Sequence, residues 1–150
     1  MSKKIIAGLI FFNLSCAVLL AADVDNFISS LEKKIPPIIE AGMDDYAIQG
    51  AEGALKTWTK GGPLEGDAKV LGSAQVFHEI EKYYGQYRSY HLISQKGLTP
   101  SSKLLYIQMN YDKGPLFLRF LCYLSGDRWV VAGRLLLNTD PDQVLQPVLS

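Results

Sequence analysis

The sequence predicts an α+β domain with N-terminal helices packed on a curved four-stranded antiparallel sheet. Between Pro37 and Tyr84 the apolar residues recur at three- and four-residue spacing, the signature of helices with one buried face. From Gln86 to Asn138 the chain turns aromatic, β-branched and alternating, and short Gly- and Pro-containing turns punctuate it. Helices followed by sequential hairpins place the helices on one face of a meander.

The N-terminus has the layout of an export signal. Lys3 and Lys4 precede the apolar run Ile5 to Leu20, and Ala21-Ala22 offers signal peptidase a small residue before Asp23. The run falls short of the ~20 residues a spanning helix wants. Residues 1–22 therefore read as a cleaved signal peptide and 23–150 as a single domain, periplasmic or secreted, with no membrane span after cleavage. Cys16 follows Ser15 and precedes more apolar residues, the wrong context for lipidation.

Asp23 can cap a short helix over Val24 to Lys34, which Pro36-Pro37 ends. Pro37 opens a longer helix to Thr59 with the stripe Ile39, Met43, Tyr46/Ala47, Gly50, Ala54 and Trp58. Gly61-Gly62-Pro63 stops it. A second helix, Ala68 to Tyr84, presents Val70, Ala74, Phe77, Ile80/Glu81 and Tyr84, and Gly85 fits its C-terminal cap. Strands are expected over Gln86–Gln95, Lys103–Tyr111, Leu116–Leu124 and Arg128–Asn138, joined by short turns. Trp58 and Trp129 are expected in the core.

Charge and cysteine usage narrow the partners. Without Lys3 and Lys4, 13 of the 15 basic residues remain against 15 acidic ones, a net charge of −2. No basic patch invites nucleic acid. Cys122 alone remains after cleavage, so no internal disulfide forms, and its place in an apolar strand suits an inert thiol.

The chain from Pro37 to Asn138 resembles the NTF2-like superfamily, some of whose members are small exported proteins of unknown function. The resemblance rests on element order, element lengths and aromatic-rich strands such as Gly114-Pro115-Leu116-Phe117-Leu118-Arg119-Phe120. It implies a sheet wrapped around helices into a cone. A cystatin-like sheet gripping one helix has a similar outline. The enzymes of the superfamily use an Asp or an Asp–His pair inside the cone. Here no acidic residue lies between Gln86 and Tyr111 or between Leu116 and Leu124.

No Cys-x-x-Cys, His-Glu-x-x-His or Gly-x-Ser-x-Gly motif is present, so no catalytic residue, cofactor or metal is assigned. His78 and His91 lack the carboxylate company of a metal site. The tyrosines cluster between Tyr83 and Tyr123, and such side chains line small-molecule cavities or simply pack a twisted sheet. Arg119 shares a strand face with Phe117, Leu121 and Tyr123. A buried guanidinium there needs either a protein carboxylate such as Glu81 or an anionic ligand; an exposed one needs neither. Arg88 and Arg134 pose the same question more weakly.

The candidate ligand-binding set is Arg119, Tyr90, His91, Tyr106, Tyr123 and Glu81. The reading that follows is a non-enzymatic domain binding a small molecule, an anionic ligand or a protein partner, and forming a homodimer through its outer sheet face. The alternatives are a cofactor-independent isomerase or hydrolase using a helical carboxylate, and an accessory subunit of an envelope assembly.

Overall fold

The computed structural model describes residues 34–133 and 135–145. The expected signal peptide and the helix over 24–34, Lys34 excepted, lie outside the described residues, as does Arg134. The described residues from Ile35 onward belong to one compact unit. Helices α1 (Pro37–Thr59), α2 (Ala68–Gly72) and α3 (Ala74–Tyr84) precede strands β1 (Tyr87–Thr99), β2 (Ser102–Tyr111), β3 (Pro115–Ser125), β4 (Arg128–Val131) and β5 (Leu136–Asn138). A short 3-10 turn, Pro141–Gln143, follows. The architecture is α+β, with helices on one face of a curved antiparallel sheet.

Helix α1 has the expected bounds but not the expected shape. A straight helix would put Gly42 and Trp58 ~24 Å apart, at 1.5 Å per residue. Instead the Trp58 indole donates to the Ile39 carbonyl at 3.3 Å, and the Thr57 hydroxyl donates to Asp45 at 2.5 Å. The chain reverses at Gly50, whose φ of 74° and ψ of −163° break the helix. A positive φ favours glycine because any Cβ would crowd the carbonyl. The 37–49 and 51–59 segments thus face each other, and Trp58 fills the space between them and the sheet. The helix expected over Ala68–Tyr84 also divides, at Ser73, whose hydroxyl donates back to the Lys69 carbonyl at 3.1 Å.

The sheet runs β1-β2-β3-β4, and β5 also pairs with β3. The single fourth strand expected over Arg128–Asn138 is two. Between the pairs Cys122–Val131 and Arg119–Leu136 the β4–β5 side carries two more residues than β3, and the ladder breaks there. Three register shifts in β1 (Tyr87/Ser89, Leu92/Ser94 and Gly97/Thr99) supply bulges that curve this edge strand.

The inner face carries Leu105, Ile107, Met109 and Tyr111 of β2 and Leu116, Leu118, Phe120 and Cys122 of β3, all buried against Ile39, Met43, Leu55, Trp58 and Phe77. Burial pushes the Cys122 thiol up to about 12, which keeps it protonated and inert. Trp58 is 1% exposed and meets Phe120 edge-on at 5.1 Å. Trp129 is only half-buried, at the rim of the core, with the Lys103 ammonium 4.4 Å from its ring centroid. The outer face has its own cluster: Val144, just after the 3-10 turn, buries Leu104, Tyr106 and Phe117. No described helix is long and apolar enough to cross a membrane.

Candidate functional site

The end of α3, the start of β1 and the end of β2 meet beside the reversal in α1. Tyr46 and Glu81 are brought there from the 37–49 segment and α3, and Tyr87 and Tyr111 from paired positions of β1 and β2. The Tyr46 hydroxyl donates to Glu81 Oε1 at 2.8 Å and lies 3.0 Å from the Tyr111 hydroxyl. A hydroxyl has one proton, so with Tyr46's directed at the carboxylate, Tyr111 donates to Tyr46. The result is a chain of hydrogen bonds running from the buried Tyr111 to a half-exposed carboxylate.

The rings pack edge to face. The Tyr46 centroid lies 4.9 Å from that of Tyr87, and Tyr87 lies 6.0 Å from Tyr111. Burial raises all three hydroxyls, Tyr87 to about 12 and the other two further. They therefore remain protonated near neutrality and serve as donors, not as bases. Asp112 closes the floor. It accepts from the Gln86 amide at 2.8 Å and from Arg88 Nε at 2.5 Å, and the Arg88 bond holds its carboxyl below the usual carboxylate range. Over this group opens a cleft of about 650 Å³, lined by Tyr46, Ala47, Gly50, Glu81, Tyr87 and Asp112 among others.

The six residues singled out from sequence divide between the two faces of the sheet. Glu81 lines the cleft, and Tyr90 shares the inner face with Tyr87. Burial raises the Tyr90 hydroxyl, with the carboxylates of Glu40 and Asp44 adding to the effect. Arg119, Tyr106, Tyr123 and His91 all lie on the outer face. Arg119 stands directly opposite Tyr106, half-buried, and among the described residues no carboxylate pairs with it. The Arg119–Glu81 pair considered from sequence does not form, because the sheet lies between them. Arg88, the weaker suggestion, does find its anion in Asp112.

His78 is not alone either: its Nε2 lies 2.7 Å from Glu52 Oε1 on the second half of α1. Glu52 raises the imidazole and is itself lowered by it. Both are largely exposed, and among the described residues no third His, Cys, Asp or Glu joins them as a metal site would need. The sequence pattern places Tyr46 in the apolar stripe of α1 and Asp112 in the turn that follows Tyr111. Their role depends on contacts 35 and 65 residues apart for Tyr46, and 26 for Asp112, which no local spacing announces.

No protein-family model, curated protein or solved structure matches this chain.

Proposed function

We propose that this chain is an exported, non-enzymatic binding domain of the NTF2-like kind, whose cleft at Tyr46, Glu81 and Tyr87 receives a small amine. The carrying observation is the Tyr111–Tyr46–Glu81 hydrogen-bond chain, which ends on a carboxylate in an open cleft of about 650 Å³. The charged residues lining that cleft, Glu81 and Asp112, are both acidic. Asp112 is already engaged by Arg88 and Oε1 of Glu81 by Tyr46, which leaves Oε2 of Glu81 to meet a cation. The half-buried Tyr87 offers ring surface, and a cation over such a face gains ~0.5–2 kcal/mol.

An isomerase or hydrolase using Glu81 as base is the competing reading. The Tyr46 bond favours binding over it, because it already occupies Oε1, one of the two oxygens with which a base would take a proton. The test is an NMR titration with putrescine and choline, with acetate and glucose as controls. Saturable shifts at Tyr87 and Glu81 for the amines alone, lost in Glu81→Gln, are expected. Glutamine still accepts from Tyr46, so the fold survives the change. Equal binding by the variant, or no saturable amine response, refutes the reading.

Export and dimerisation belong to the same proposal. Amino-terminal sequencing of protein recovered from the envelope should begin at Asp23. A dimer would use the part of the outer face that Val144 leaves uncovered, around Arg119 and Tyr123, the latter 45% exposed. Tyr123→Asp should then convert a sedimenting dimer to monomer.

A further inference from the structure

A second cleft, of about 450 Å³, lies away from Glu81, between the first turn of α1, the loop after α1 and the β3–β4 hairpin. Its volume falls within the ~300–1,000 Å³ typical of small-molecule sites. Ile38, Ala41, Trp129 and Val130 make its walls apolar. Its charged residues are Lys60, Arg128 and Asp127, a net excess of one positive charge. Among the described residues neither Lys60 nor Arg128 has a carboxylate within ion-pair distance.

Two further features bear on the potential. The first turn of α1 carries the positive end of a helix dipole, offset in part by the Glu40 carboxylate in the same turn. The Trp129 ring, which walls the cleft, carries the Lys103 ammonium at 4.4 Å. An apolar trough with unpaired cations at its rim suits a molecule that is apolar along its body and negative at one end.

We propose that this cleft binds an amphipathic carboxylate, such as a medium-chain fatty acid, with its chain along Ile38 and Trp129 and its head between Lys60 and Arg128. A neutral chain of the same length gains the apolar contact without the ion pairs, and a cationic one meets repulsion. The proposal stands on residues separate from the Tyr46–Glu81 cleft and does not depend on the amine reading.

The experiment is calorimetric and NMR titration of the protein with decanoate and decyltrimethylammonium below their micellar concentrations and decanol below its solubility limit. Decanoate should bind best and weaken as salt screens the rim. It should shift the Trp129 indole and the amides near Lys60 and Arg128, leaving Tyr87 unmoved. The double variant Lys60→Gln/Arg128→Gln, both changes on exposed side chains, should weaken decanoate roughly tenfold while decanol binding stays the same. Comparable binding of all three probes overturns the proposal. So does an unchanged decanoate affinity in the double variant, shifts confined to the Glu81 cleft, or no saturable binding of decanoate.

Discussion

Replacing Gly42 with alanine should destabilise this protein, although the same change inside an ordinary helix stabilises by up to ~1 kcal/mol. A Cβ at Gly42 would lie 2.0 Å from Trp58 Nε1 and 2.1 Å from its Cδ1. Non-bonded heavy atoms rest ~3.5–4.0 Å apart, so the indole must retreat by about 1.5 Å or the two halves of α1 must part. Trp58 has no room to retreat: it is 1% exposed and wedged between Phe120 at 5.1 Å and Phe77 at 6.3 Å. Overpacking a core costs ~1–3 kcal/mol, and fully losing a buried Trp ~3–5 kcal/mol. The gain in helix propensity offsets only part of this, so a net loss of about 2–3 kcal/mol is expected. Urea denaturation followed by far-UV circular dichroism measures it. In a Trp58→Leu background the clash is absent, and Gly42→Ala should become neutral or stabilising, giving a coupling of about 2 kcal/mol or more. If Gly42→Ala is as stable as the parent, the reversal of α1 that places Trp58 against Gly42 is wrong.

Gly50→Ala should cost ~1–3 kcal/mol in the same assay, because φ 74° with ψ −163° is a conformation open essentially only to glycine, while no atom crowds the site. Tyr46→Phe should cost ~1–3 kcal/mol by leaving Tyr111 without its acceptor in the core; Tyr111→Phe should cost less, since Tyr46 keeps its bond to Glu81. The Glu52–His78 pair gives a pH signature with a definite sign. His78 is raised from 6.5, so its contribution is full below 6.5 and fades as pH rises through the folded value; Glu52 is lowered from 4.5, so its contribution is full above 4.5 and fades as pH falls. The melting temperature of the parent relative to Glu52→Gln should therefore peak between about pH 4.5 and 6.5 and shrink in high salt, because both groups are exposed.

The sequence by itself determined the order and type of nearly every element. Pro37 at a helix start, Gly85 at a helix end and the Gly-containing turns after Tyr111 and Leu124 act within a few residues, so they are legible without the fold. Alternation in β3 likewise assigned Phe117, Arg119, Leu121 and Tyr123 to one face, as the structure has them. The tertiary structure decided which way that face points. With Leu116, Leu118 and Phe120 turned to the helices, Arg119 falls outside and cannot reach Glu81. It also decided that α1 folds back on itself. The helical period continues through Gly50, and only the packing of Trp58 against Gly42 and Phe120 shows why the chain reverses there. The hydrogen-bonded set of Tyr46, Glu81 and Tyr111 was hidden for the same reason. It joins residues from two helices and a strand, and their meeting is settled by how the elements pack, not by any spacing along the chain.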